Sequence, residues 1–269
     1  MNLTSPSQVK AWCIGNGFHP NRVLGQNFLV DLNAREAMVE SVAEGCRVLE
    51  IGPGLGVLTE AMLARGATVK AIEKDPVLAE RLPEALGSPA GLRVVAGDAL
   101  DVLARPAEFG LSLGDFDCLV SSLPYHAGTR ILLELVQRRL PPSMTVLVQT
   151  EVAERLCAKE GGRTRGLAGV WAQLDYDVRI VRRVSANCFW PRPEVGSAIV
   201  RLERHDRNAG LSPEVRETFR KLTKRAFEHR RKQLGSVFRD LIQSTARAEE
   251  LSNAEWVELA KGLTENEDA

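Results

Sequence analysis

The sequence predicts a doubly wound, mostly parallel α/β sheet followed by a small helical domain. Three observations predict it. Short apolar runs alternate with helical stretches from about residue 47 to residue 157. A glycine-rich turn, "EIGPGLG" at 50–56, joins the first of these runs to a helix. From Ser212 onward the strand pattern stops and the chain becomes helical and highly charged.

The elements follow in order. The first 45 residues read as helices and loops. Ser5 or Ser7 caps a helix through Ile14, which Gly15 and Gly17 end, and Asp31 caps the helical pattern "LNAREAMVESVA". Then come a short strand at 48–51, the glycine turn, an amphipathic helix at 55–65 and a second strand at 68–72. This is one βαβ unit, and its parallel strands require a right-handed crossover. A helix at 76–86 and a third strand at 92–96 lead to Gly97-Asp98. "FDCLVSSLPY" supplies a fourth strand with its exit loop, and "MTVLVQTEVAERL" is a fifth strand running into a helix. Two β-rich runs between Tyr176 and Arg204, joined by a proline loop, read as a strand pair at a sheet edge. "HDRNAGLSPE" is a linker. The expected domains are 1–205 and 206–269.

Composition narrows the class. Of 269 residues, 44% are apolar and 26% charged, ordinary proportions for a globular protein. No uncharged apolar run is long enough to span a bilayer, and the N-terminus lacks the basic-then-apolar order of a secretory signal. Five scattered cysteines without CxxC spacing argue against a disulfide framework or a zinc site, so no metal and a cytoplasmic location are expected. The net charge of zero hides a basic block. Residues 151–240 carry 20 Lys and Arg against 12 Asp and Glu, while both flanks are acidic. Such a block is either a polyanion footprint or a solvated helix face.

The glycine turn has the spacing GxGxG rather than GxGxxG, which weakens a dinucleotide reading. Glu73 lies 21 positions after Gly52, at the end of the second strand, where a carboxylate can accept hydrogen bonds from both hydroxyls of a ribose. Asp98 ends the third strand and can bind an adenine amino group. With Gly52 and Gly54 these residues share one rim of the sheet. The set suits S-adenosylmethionine, which carries ribose, adenine and an amino-acid tail but no phosphate.

The chain resembles the ribosomal RNA adenine N6,N6-dimethyltransferases of the small subunit. The resemblance runs from about Asn21 to Gly262 and rests on blocks in a fixed order: "LGQNFLVD", "VLEIGPGLGVLTEAML", "GDAL", "SLPY", "FWPRPEVGSAIVRL", "RRKQLGSVF" and "LSNAEWVELAKGL". It implies a Rossmann-like class I methyltransferase fold, S-adenosylmethionine as cofactor, and small-subunit rRNA in the immature 30S subunit as partner, with a monomeric enzyme and no membrane. The cofactor-binding set it implies is Gln26, Asn27, Leu29, Glu50, Gly52, Gly54, Glu73, Lys74, Asp98 and Ser121.

For catalysis the resemblance implies Ser122, Leu123, Pro124, Tyr125 and Phe189. A flipped-out adenine would stack on Tyr125, with Phe189 approaching from the other side. The adenine N6 lone pair is delocalised into the ring, so acceptors around the amino group are needed to expose it. Proline fixes its own φ and lacks an N–H, which lets the loop aim carbonyl oxygens at that group. Two positions depart from the family. Ser122 stands where the family has asparagine, and His126 where an asparagine is usual. A third departure, "RGLAG" at 165–169, replaces the more common Gly-Arg-Leu-Ser.

The stretch from Arg216 to Arg239 reads as a basic helix with Phe219, Leu222, Ala226 and Phe227 on its core side. Arg220, Lys221, Lys224, Arg231 and Lys232 are then RNA-binding candidates, with Arg163, Arg165, Arg182 and Arg183 as extensions of the patch. Two other functions remain open at this level. One is a small-subunit assembly factor with weak or absent catalysis, which Ser122 motivates. The other is a large-subunit rRNA adenine methyltransferase conferring antibiotic resistance.

Overall fold

The structure is a computed structural model and describes residues 1–21, 24–239 and 241–267. It contains α1 (Pro6–Gly15), β1 (Phe28–Leu29), α2 (Leu32–Val39), β2 (Arg47–Ile51), α3 (Val57–Ala64), β3 (Thr68–Glu73), α4 (Pro76–Ala85), β4 (Leu92–Ala96) and α5 (Ala99–Ala104). Then follow β5 (Cys118–Ser122), α6 (Gly128–Gln137), β6 (Ser143–Gln149), α7 (Thr150–Cys157), α8 (Leu167–Asp175) and β7 (Tyr176–Val184). The last elements are β8 (Phe189–Trp190), β9 (Ser197–Arg204), α9 (Pro213–Glu228), α10 (Leu234–Phe238) and α11 (Asn253–Glu267).

Contacts divide the chain into two compact units. The first is 1–153 with 179–203, and the second is 154–178 with 204–269. The expected boundary ran the first domain unbroken to residue 205. Residues 154–178 instead cluster with the C-terminal helices, because α8 supplies Val170 and Leu174 to their apolar core.

The first unit is built on a seven-stranded sheet of order β4-β3-β2-β5-β6-β9-β7. β2 pairs in parallel with β3 and β5, as do β3 with β4 and β5 with β6, while β9 runs antiparallel to β6. Successive residues of a strand face opposite sides. Val48, Leu49 and Ile51 of β2 are all buried, so both faces of the sheet are covered, as parallel sheets require. The last two β-rich runs form the expected pair at the sheet edge: β7 is the edge strand and β9, beside it, joins the pair to β6. A second, two-stranded sheet pairs β1 with β8, Leu29 opposite Phe189.

Caps mark where the helices begin. Asp31 accepts from the Ala34 N–H at 2.7 Å, as its sequence position suggests. Ser5 occupies the N-cap of α1 but makes no side-chain capping bond. In the second unit, Phe219, Leu222, Ala226, Trp256 and Ala260 of α9 and α11 form the core with α8 and α10. Ser252 and Glu255 exchange hydrogen bonds in a capping box that starts α11.

Candidate active site

One cleft opens along the carboxyl ends of β2, β3, β4 and β5. It encloses about 1240 Å³, its open mouth included. The chain leaves β2 toward β3 and β4 on one side, and β5 and β6 lie on the other. Open α/β sheets hold ligands at that reversal.

The turn after β2 forms the floor. Gly54 has φ +58°, and a Cβ there would lie 3.1 Å from the Phe28 ring. Gly56 has φ +92°, and a Cβ would press to 2.6 Å from Leu82. The left-handed backbone strains any side chain at both positions, and Phe28 or Leu82 would also have to shift to admit one. The Gly54 N–H donates to Glu73 Oε2 at 3.0 Å, and the Asp75 N–H donates to Oε1 at 2.9 Å. Each carboxylate oxygen thus has one backbone donor and keeps lone-pair capacity. Burial pushes the Glu73 carboxyl up, and the backbone hydrogen bonds oppose that push.

Asp75 extends this network. Its Oδ1 caps α4 by accepting from the Val77 and Leu78 N–H groups, and its Oδ2 accepts from Gln26 Nε2 at 2.7 Å. Gln26 Oε1 accepts from the Asn21 N–H at 2.7 Å, and Asn27 Nδ2 donates to the Gly25 carbonyl. The Leu24–Leu29 segment is thereby tied to the end of β3, and all six of its residues line the cleft. Glu50, also a lining residue, is 1% exposed and accepts from Thr59 Oγ1 at 2.7 Å. Burial, reinforced by the nearby Glu73 charge and opposed by the Thr59 bond, pushes its carboxyl up to about 8. Asp98 caps α5 through the Leu100 N–H and pairs with Lys74 Nζ at 2.8 Å. The Lys74 ammonium holds the Asp98 carboxyl below the usual carboxylate range.

Ser122, Leu123, Pro124 and Tyr125 line the other side of the same cleft. The Pro124 carbonyl accepts from the Ala127 and Gly128 N–H groups, at 3.2 and 2.7 Å, and so starts α6. The Leu123 carbonyl accepts no hydrogen bond among the described residues. Of these two carbonyls, that of Leu123 is the one left available. Tyr125 is half-buried, and its hydroxyl lies 2.7 Å from Ser197 Oγ. His126 is exposed and packs beside Gly25, where a Cβ would meet its ring at 3.6 Å.

Two expected positions are not brought to the cleft. Ser121 is fully buried and donates to the Ile51 carbonyl at 2.6 Å. Its side chain faces the opposite side of β5 from that of Ser122, because strand residues alternate. Phe189 is 3% exposed and belongs to the apolar core, held in register opposite Leu29. The motifs also did not single out Leu3 and Val9, which line the cleft, or Asp75 and Ser197, which hydrogen-bond the lining residues Gln26 and Tyr125. Asp75 had a signal, since it lies two residues beyond Glu73 before Pro76. Ser197 had none beyond its place in the "EVGSAIV" block.

In the second unit the basic stretch is not one helix. α9 ends at Glu228, and a turn precedes α10. Several cations serve the fold. Arg216 pairs with Asp175 at 2.8 Å with both side chains almost buried, Arg225 lies over the Phe238 ring, and Arg230 donates to the Arg163 carbonyl. Arg165 is 1% exposed and donates to Asn253 Oδ1, so it is a packing residue and not part of a surface patch. Lys221, Lys224, Arg231 and Lys232 are exposed, and Arg220 is half-buried within reach of Glu217.

The strand order, the glycine turn and the carboxylate ending the next strand define a Rossmann-like class I methyltransferase. Within that class the chain belongs to the ribosomal RNA adenine dimethylase family, which matches residues 17–264. A ribosomal RNA small subunit methyltransferase A of Phenylobacterium zucineum is 38% identical over 273 residues, covering 97% of this chain and 94% of the relative. Another of the same name, from Deinococcus radiodurans, is 40% identical over 245 residues, covering 88% and 78%. The fold is shared with a dimethyladenosine transferase from Plasmodium falciparum, with TM-score 0.75, 19% identity and coverage of 89% and 98%. It is also shared with the 23S rRNA methyltransferase ErmE, with TM-score 0.67, 23% identity and coverage of 87% and 98%.

Proposed function

We propose that this enzyme dimethylates N6 of adjacent adenines near the 3′ end of small-subunit rRNA, using S-adenosylmethionine. One observation carries the reading: Ser122-Leu123-Pro124-Tyr125 lines the same cleft as Glu73 and Asp98. The base-presenting loop and the nucleoside-binding carboxylates therefore share one space. The enzyme acts in the cytoplasm, as a monomer, on RNA of the immature small subunit. No helix among the described residues is long and apolar enough to cross a membrane.

The cleft fits the cofactor chemically. The glycine turn admits backbone contact in a left-handed conformation that would strain a side chain and press it on Phe28. Glu73, held by two N–H groups, presents acceptors for the ribose hydroxyls. Asp98, steadied by Lys74, presents one for the adenine amino group. Gln26, Asn27, Leu29 and Glu50 border the space left for the methionine end. When bound, S-adenosylmethionine supplies an electrophilic methyl group: the adenine N6 lone pair forms the N–C bond as the C–S pair goes to sulfur, and the nitrogen gives up a proton to solvent.

The chain's own residues hold the adenine. Tyr125 offers a flat ring on which a flipped base stacks. The Leu123 carbonyl and Ser122 Oγ accept from the N6 hydrogens and hold the nitrogen in line with the methyl group, so the barrier falls by positioning. Serine is shorter than the family's asparagine. One lost contact of this kind costs about 1–3 kcal/mol, roughly a tenfold to hundredfold slower step. That keeps a second reading in view, an assembly factor with weak catalysis.

Mass spectrometry of nucleosides from immature small subunits treated with the enzyme separates the readings. Dimethyladenine is expected, and Ser122→Asn is expected to raise the dimethyl-to-monomethyl ratio. Absence of any methyladenine would favour the assembly factor.

A further inference from the structure

The Tyr125 hydroxyl has a partner that stacking does not require. Ser197 Oγ lies 2.7 Å away, 72 residues along the chain. Ser197 is 1% exposed and is the first residue of β9, opposite Gln149 at the end of β6. The preceding backbone is fixed as well, since the Thr150 N–H donates to the Gly196 carbonyl at 3.0 Å. β6 lies between β5 and β9. The hydrogen bond therefore reaches across the rim from the β5 exit loop to a rigid strand beyond its neighbour. Burial pushes the Tyr125 phenol up, which keeps the hydroxyl protonated and able to donate or accept here.

This geometry has a specific mechanical effect. The phenolic oxygen lies on the axis of the ring, so a hydrogen bond to it does not stop the ring from spinning. It stops the ring from swinging about χ1, which is the motion that would tilt the base off line.

We infer that Ser197 is a positioning residue that holds the Tyr125 ring in place, and that the second methyl transfer depends on it more than the first. The inference rests on the function proposed above. An unmodified adenine amino group has two N–H donors, one for Ser122 Oγ and one for the Leu123 carbonyl. After one transfer, one of those hydrogens has been lost as a proton and a methyl stands in its place. Only one hydrogen bond then orients the nitrogen. The stacked ring carries a larger share of the alignment in the second transfer, so a platform free to swing slows that step more. The short side chain at Ser122 sharpens this dependence.

The test measures dimethyladenine and monomethyladenine by mass spectrometry of digested RNA, with S-adenosylmethionine affinity measured in parallel by calorimetry. Ser197→Ala should lower the dimethyl-to-monomethyl ratio by about fivefold, the rate equivalent of one ordinary hydrogen bond. Cofactor affinity should not change. Tyr125→Phe removes the same bond from the other side, so it should lower the ratio equally, and it serves if Ser197→Ala folds poorly. The double variant should be no worse than either single one, and Ser197→Thr, which keeps a hydroxyl, should recover the parent ratio. A parent that makes dimethyladenine, with Ser197→Ala and Tyr125→Phe both matching its ratio, would overturn the inference while leaving the proposed function intact. A parent that makes no methyladenine would overturn the proposed function and the inference together.

Discussion

The cleft of the first unit and the basic surface of the second use charge in opposite ways. In the cleft, charged and polar groups are tied in place before any ligand arrives. Glu73 is held by two N–H groups, Asp75 by a helix start and Gln26, and Asp98 by a helix start and Lys74. On α9 and the turn after it, the cations divide. Arg216, Arg225 and Arg230 are spent on packing, while Lys221, Lys224, Arg231 and Lys232 extend into solvent. Preorganised groups suit a small ligand whose shape is constant, because ordering costs are met on folding. Exposed surface cations suit a phosphate backbone, which is recognised by charge more than by exact position.

The comparison predicts unequal consequences of mutation. The largest is expected at Glu73. Glu73→Gln keeps the shape and one carbonyl acceptor but removes the charge and one oxygen. Hydrogen bonds to charged groups contribute about 1.5–3 kcal/mol each, so affinity for S-adenosylmethionine should fall about a hundredfold in calorimetry. A change under threefold would mean that the carboxylate does not hold the ribose.

A smaller, salt-dependent effect is expected on the second unit. Reversing Lys224 and Arg231 to glutamate should weaken binding to small-subunit RNA at low salt. It should also flatten the slope of log K against log salt by roughly 1.4–1.8, the release of two phosphate contacts. Cofactor affinity should hold. An unchanged slope would make these side chains solvated surface only.

The same contrast explains what was legible in the sequence. The succession of strands and helices was legible from alternating patterns, and the glycine turn, the strand-end places of Glu73 and Asp98 and the Asp31 cap were legible because local spacing sets the geometry at a strand end or helix start. Ser121 and Phe189 were not. Ser121 and Ser122 are alike in chemistry, and only the pleat decides which one faces the cleft. Phe189 goes to the core because β8 pairs with the two-residue β1, and neither strand has enough length to show a period. Arg165 looked like part of a basic patch, but its partner Asn253 lies 88 residues away and no local rule announces it. The basic stretch read as one helix because its composition is uniform. Gln233, whose backbone is extended, starts α10 instead.

The proposed function places the adenine on Tyr125 and the cofactor on the opposite wall of the cleft. It is tested most directly by single-turnover methyl transfer to immature small subunits with Tyr125→Ala, alongside calorimetry with S-adenosylmethionine. Losing a stacking platform costs roughly 1–3 kcal/mol per base. Methyl transfer is expected to be about tenfold to a hundredfold slower, with cofactor affinity equal to that of the parent. Transfer by Tyr125→Ala at the parent rate would contradict that placement.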